Sequence, residues 1–220
     1  TESIEASFLS IFALISFFIF LLASKYSHKF RGGALLDKDF LKPQAFHEFP
    51  VTRSGGIAAI ICLSIFFIIY YLLYSKILYD YILISYSVFL LGFLDDLQIN
   101  IKPLKRLIAM IFLLFLSIYF LPIKILNIDI PFLSSLMSNH TFSSIFVLLC
   151  FLFVINGANL IDGFNGLLTI NLIIINIILT YININNQNLE FSIFLISQII
   201  ILLSFLLFNF PSAKIFLGDS

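Results

Sequence analysis

Four short stretches of this 220-residue sequence hold side chains that could do chemistry in otherwise apolar surroundings. The first is Gly92-Phe93-Leu94-Asp95-Asp96, where two adjacent carboxylates follow directly on an apolar helix. Desolvation and mutual repulsion penalise such a pair, and a hard divalent cation is the natural counter-charge. The plainer alternative is two solvated carboxylates marking a helix end, near Lys102, Lys105 and Arg106. For a lone Asp-Asp that alternative carries more weight. The second stretch runs from Asn156 to Leu167 and contains Asn156, Asn159 and Asp162 at spacings of three. On a helix this spacing makes one polar stripe. Glycines beside it let the backbone turn and come close to a ligand. Amide and carboxylate oxygens with exposed N–H groups suit ribose, uracil or a phosphate-bound metal.

The third stretch is Phe216-Leu217-Gly218-Asp219, with Asn209 ten residues earlier. The fourth is His47-Glu48-Phe49-Pro50-Val51-Thr52-Arg53-Ser54-Gly55-Gly56, basic, kinked by Pro and opening into a helix. A Gly-Gly at a helix N-terminus could receive a phosphate on its free N–H groups. His47 alone reads as a surface or structural histidine.

The elements that position these stretches follow from composition. Of all residues 61% are hydrophobic and 11% charged, with twelve basic and twelve acidic side chains. A soluble domain of this size could not cover so much apolar surface. A disordered chain and an electrostatically driven nucleic-acid binder are excluded on the same grounds. Cys62 and Cys150 both lie in apolar runs and make no disulfide framework. The fold class is therefore all-α, a polytopic transmembrane helical bundle. Seven segments approach spanning length: Ala6 to Ala23, Gly56 to Tyr74, Tyr79 to Leu94, Leu107 to Leu121, Phe142 to Ile155, Leu167 to Ile182 and Phe191 to Phe210. Runs such as Ile201 to Phe208 do not alternate, which argues against a barrel. Tyr70, Tyr71, Tyr74, Tyr79 and Tyr81 read as an aromatic belt. Asn139-His140-Thr141 fits a glycosylation sequon and is treated as chance.

Ten of the twelve basic residues fall in the first, third and fifth connections and the tail, and two on the other side. The positive-inside rule puts the ten in the cytoplasm and the N-terminus outside. Seven acidic residues share the basic side and five lie opposite. All four chemical stretches fall on that same side, by a count that never used them. A single cytoplasmic-face site is the economical reading.

These motifs, in this order, resemble the polyprenyl-phosphate N-acetylhexosamine-1-phosphate transferases, glycosyltransferase family 4, from about Asp37 to Ser220. The pattern His47-x-x-Pro50-Val51-Thr52-Arg53-x-Gly55-Gly56 looks more like the undecaprenyl-phosphate N-acetylglucosamine-1-phosphate transferases than phospho-N-acetylmuramoyl-pentapeptide transferase. Thr52 stands where the former carry a second Pro, and Asn165 where many members carry a second Asp.

The resemblance implies that a polyprenyl (undecaprenyl) phosphate attacks a UDP-N-acetylhexosamine, most readily UDP-GlcNAc, and releases UMP with Mg²⁺ or Mn²⁺ required. It implies a bacterial inner-membrane enzyme acting early in a surface glycan, with no nucleic-acid partner and a homodimer among its expected assemblies. By motif match Asp95 and Asp96 are catalytic, and Asp219 binds the metal. Asn159, Asp162, Gly163, Asn165, Asn209 and Phe216 line the nucleotide. His47, Arg53, Lys102, Lys105 and Arg106 are expected to bind phosphate or lipid. The family fold has about ten helices; residues 1–220 are therefore expected to be one truncated transferase domain. An ion-coupled transporter using Asp95, Asp96 and Asp162, and an inactive fragment, are the competing readings.

Overall fold

A computed structural model describes residues 2–27, 35–37, 50–96, 103–120, 130–162 and 164–218. Eight helices dominate these residues: α1 Glu2–Tyr26, α2 Gly55–Tyr74, α3 Tyr79–Asp96, α4 Pro103–Phe120, α5 Pro131–Met137, α6 His140–Ile161, α7 Leu167–Asn185 and α8 Leu189–Asn209. Each of the seven apolar segments is a helix. In lipid every backbone polar group must be satisfied inside the segment, and an unbroken helix does this. Five helices (α1, α2, α6, α7, α8) are long and apolar enough to cross a bilayer, and Tyr79–Leu94 in α3 is a shorter apolar stretch. α3 falls short because it ends in Asp95-Asp96, and the apolar part of α4 is trimmed by Lys105 and Arg106 in its first turns. The polar side chains within helices mostly fold back on their own backbone, as Ser117 does on Leu113 O (2.9 Å) and Asn183 on Leu179 O (2.8 Å).

The centre of the packing is the trio α1, α2 and α8. Phe8, Phe12 and Phe20 from α1 meet Cys62, Phe66 and Tyr70 from α2 and Phe194, Phe205 and Phe208 from α8, all buried. Phe12 and Phe66 sit edge to face at 5.8 Å, and Phe20 lies 5.9 Å from Phe205. Between lipid-embedded helices there is little hydrophobic drive, so close van der Waals packing must hold them. Buried small residues (Ser16, Ala58, Cys62, Ser197, Ser204) allow that approach between the aromatic rings. α7 lies along α8, α3 joins α2 to α4, and α4 carries α6. α6 buries only Val147 among its described side chains.

The aromatic belt differs from expectation. Tyr71 and Tyr79 are exposed, but Tyr70 is 1% exposed and stacks on Tyr74 at 4.7 Å, while Tyr81 lies 4.5 Å from Phe194. Tyr70 is part of the buried core, with Tyr74 and Tyr81 packed against it. Nearby, Tyr74 donates to Glu5 Oε1 (3.2 Å) and Lys76 pairs with Glu190, tying α1, α2 and α8 together at this end.

The opposite end carries a feature absent from the sequence expectations. Three short strands, β1 Leu36–Asp37, β2 Val51–Arg53 and β3 Ile215–Phe216, form a sheet in the order β1-β2-β3. β2 pairs antiparallel with β1 (Leu36↔Thr52) and parallel with β3 (Thr52↔Ile215, Arg53↔Phe216). The first connection and the tail are thereby joined.

Candidate active site at one end of the bundle

The carboxylate of Asp96, the last residue of α3, is completely buried against this sheet. Two neighbours define its position. Arg53, on β2, brings its Nη1 to 3.9 Å from Asp96 Oδ1. Gly218, just beyond β3 with φ +86°, passes so close that a Cβ there would lie 2.6 Å from Asp96 Oδ2 and 2.9 Å from Oδ1. Three chain segments distant in sequence thus converge on one buried charge. An ionised carboxylate at this depth requires a partner cation, and Arg53 supplies one while remaining 21% exposed.

The tail reaches this place because two glycines let it. A Cβ on Gly55 would fall 2.7 Å from Phe216 O and 2.9 Å from Leu217 Cα, so β3 crosses the N-terminus of α2 in contact with its backbone. Gly56 N–H donates to Leu217 O at 2.8 Å. This revises the expectation for Gly55-Gly56: the Gly56 N–H is already used by the chain's own tail and is not free for a phosphate. The pair serves close packing of backbone on backbone.

The turn between α6 and α7 joins the same end through α8. Gly166 adopts φ +77° at the N-cap of α7, a left-handed conformation that glycine takes without steric cost. Its N–H donates to Asn209 Oδ1 (2.6 Å), and Asn209 Nδ2 donates in turn to Ile215 O (3.0 Å). Asn165 Nδ2 donates to Pro211 O at 3.1 Å, beside the cis Phe210–Pro211 bond. Asn209, expected to line the nucleotide, is instead buried with both ends of its amide spent on backbone groups, because the α6–α7 turn and β3 flank the end of α8. We predict that Asn209→Leu, which orphans the Gly166 N–H and the Ile215 carbonyl, costs about 2–5 kcal/mol. Thermal unfolding in detergent checks this; an unchanged Tm would show that the clamp carries no stability.

The remaining expected site residues distribute as follows. Asp162 is half-buried at the C-cap of α6 and its N–H bonds Ala158 O (3.0 Å). Asn159 is half-buried on the last turn of α6, while Asn156 turns back onto Leu152 O (2.7 Å). Phe216 lies in β3 opposite Arg53. Lys105 and Arg106 stand in the first turns of α4, which α3 packs against. Asp95 lies in the last turn of α3 beside Asp96, and nothing is described of its side chain. His47, Lys102, Gly163 and Asp219 lie outside the described residues. Gly157 makes no close approach, since a Cβ there would meet only open space.

Among the described residues no three His, Cys, Asp or Glu side chains gather as a metal cage. What is present is one buried carboxylate in contact with Gly218, the residue covalently preceding Asp219. A small hard dication is commonly held by one or two carboxylates, with water and phosphate oxygens completing its shell. This donor set fits that mode and does not fit a tetrahedral nitrogen or sulfur site.

Residues 78–220 match Glycosyl transferase family 4. A Clostridium perfringens (strain 13 / Type A) protein named phospho-N-acetylmuramoyl-pentapeptide-transferase is 34% identical over 137 residues, covering 59% of this chain and 43% of that protein. Proteins of the same name from Lactobacillus gasseri (28% over 226 aligned residues, 97% of this chain and 70% of that protein) and Leuconostoc mesenteroides (46% over 65 residues, 30% and 20%) are similar too. The chain spans about two fifths of the length of its Clostridium perfringens relatives. The family match takes in α3 with Asp96, the α6–α7 turn, α8 and the tail strand, and on that match, which covers more than half of its length, the chain belongs to glycosyl transferase family 4.

Proposed function

We propose that this end of the bundle is where an N-acetylhexosamine 1-phosphate, GlcNAc 1-phosphate in first place, passes from a UDP-sugar to a polyprenyl phosphate. The observation that carries the reading is the buried Asp96 carboxylate held between Arg53 and the Gly218 backbone at the end of lipid-embedded helices. An acceptor with a long apolar tail and a charged head needs that combination, with lipid beside the helices and cations at their ends.

In the reaction a phosphate oxygen of the lipid bonds to the β-phosphorus of the UDP-sugar. The bond from that phosphorus to the bridging oxygen breaks, and the electron pair leaves with UMP. A phosphate monoester is mostly dianionic near neutral pH, so its oxygen is already a competent nucleophile. Phosphoryl transfer then depends on positioning and charge neutralisation. Arg53, partly exposed, is suited to hold a phosphate bidentately. Lys105 and Arg106 extend the positive field along the first turns of α4. Asp96 and Asp219 would hold Mg²⁺ or Mn²⁺, whose chemistry is to neutralise charge on the diphosphate. A transporter would instead place ionisable groups at mid-depth between broken helices; Asp96 is the last residue of α3.

The GlcNAc reading rests on the His47 to Gly56 pattern. The names of the relatives favour a second reading, transfer of phospho-N-acetylmuramoyl-pentapeptide. Both put the site on the cytoplasmic face of the inner membrane and the N-terminus outside. The test is release of labelled UMP by the full-length protein with polyprenyl phosphate and Mg²⁺. We expect release with UDP-GlcNAc. Release with the UDP-muramoyl-pentapeptide alone would select the second reading, and none with any UDP-N-acetylhexosamine would end both.

A further inference from the structure

The side chain that aims Arg53 is found one residue before it. Thr52 is fully buried in the central strand, and its hydroxyl is bonded on two sides. Ser27, just past the end of α1, donates to Thr52 Oγ1 at 2.8 Å. Thr52 and Ser54 share a further hydrogen bond of 3.2 Å. Since Ser27 donates, the Thr52 proton is free to serve Ser54. Ser54 occupies the N-cap of α2 but makes no side-chain cap bond there. Its hydroxyl is spent on Thr52 instead of on the helix, so the row has a use other than capping.

Within the strand, side chains alternate, so Thr52 and Arg53 take opposite faces, and the hydrogen bond between Thr52 and Ser54 spans the residue between them. Fixing Thr52 and Ser54 by a row of hydroxyls therefore fixes the direction in which Arg53 leaves the backbone. That direction leads to Asp96. The Arg53 N–H is also held by Leu35 O at 2.8 Å, which removes the remaining freedom of the strand. We infer that the Ser27–Thr52–Ser54 hydroxyl row is a positioning device that holds the Arg53 guanidinium against the buried Asp96, with Thr52 as its central member. Thr52 touches neither lipid nor nucleotide in this role; it acts through Arg53.

The consequence for turnover rests on the transferase reading above, so the test has one arm that does not. In the first arm, Arg53 is modified with a guanidinium-directed dicarbonyl and its labelling rate is followed by mass spectrometry in the full-length protein. Thr52→Val, which keeps shape and loses the hydroxyl, should label several-fold faster than the native protein. Thr52→Ser should label at the native rate. Ser27→Ala, outside the packed strand, should move the same way as Thr52→Val and serves if that variant does not fold. Equal labelling in the native protein, Thr52→Val and Ser27→Ala overturns the proposal, whatever turnover does. In the second arm, Thr52→Val should lower UMP release about ten- to hundredfold, the scale of a misplaced positioning group. It should have no further effect in an Arg53→Gln background. An equal loss in both backgrounds would mean that Thr52 does not act through Arg53 and would also overturn it. Absence of UMP release by the native protein would strike the functional reading alone, leaving the labelling arm to decide this one.

Discussion

Asp96→Asn is expected to lower UMP release by about 10²–10³-fold, the scale of losing one preorganised electrostatic group at a reacting centre, while leaving thermal stability unchanged or raised. The two halves of that expectation have different causes. The carboxylate is wholly buried, and its ion pair with Arg53 is long at 3.9 Å. Taking a charge to that depth is costly, and a neutral isostere relieves the desolvation. Arg53 loses little by the change, because it is partly exposed and can turn to water. The structural need for a charge at position 96 is therefore small, and the functional need is proposed to be large. A side chain held for folding would show the reverse, a lowered Tm with turnover falling only in proportion to folded protein. Measuring UMP release and detergent Tm on the same preparation separates the two. If Asp96→Asn kept native turnover, Asp96 would have no part in the chemistry.

How far the sequence reached follows from which signals it contains. Helices announce themselves in a membrane protein because each needs a long apolar run and must satisfy its own backbone, so all seven segments were legible to within a few residues. The sheet was not. Strands of two or three residues, such as Leu36–Asp37 and Ile215–Phe216, have no room for a period-two pattern, and Ile215–Phe216 pairs with a strand about 160 residues earlier, Val51–Arg53. α5 was missed for a similar reason: Pro131–Met137 is a helix of only seven residues, about two turns, with no buried side chain. The convergence of Arg53, Asp96 and the Phe216–Gly218 segment was legible only as parity, since an odd number of crossings puts those connections at one end. Their contact depends on close approaches at Gly55 and Gly218, and a glycine in sequence does not say which backbone it admits. Asn209 and Gly56 were read as groups offered to a ligand. Whether an amide faces a ligand or its own chain is decided by which neighbours the fold supplies. Asn139 illustrates the same point: its sequon pattern has a local explanation, since its side chain caps α6 by accepting from Thr141 N (3.0 Å) and Phe142 N (3.4 Å).

The largest combined effect is expected for Gly218→Ala. Two independent penalties meet at this position. With φ at +86° an L-residue is strained, at a cost of about 1–2 kcal/mol. The new methyl would also fall 2.6 and 2.9 Å from the two oxygens of Asp96. Neither oxygen can retreat easily, because the carboxylate is fully buried. Relief must come from swinging Asp96 away from Arg53 or from lifting the tail off α2, which would break Gly56 N–H to Leu217 O. Either movement separates the carboxylate from the chain segment that leads into Asp219. Gly55→Ala makes a useful contrast. Its methyl would press first on the Phe205 ring, Phe216 O and Leu217 Cα rather than on Asp96, so it should displace β3 and lower stability by about 1–3 kcal/mol as overpacking does. Gly218→Ala should therefore abolish UMP release even in the fraction that remains folded, at a stability cost at least equal to that of Gly55→Ala. Gly55→Ala should keep measurable turnover in the fraction that remains folded. If the two variants lost turnover only in step with their Tm, the contact between Gly218 and Asp96 would be packing alone, and the case for a shared site between the α3 end and the tail would fall with it.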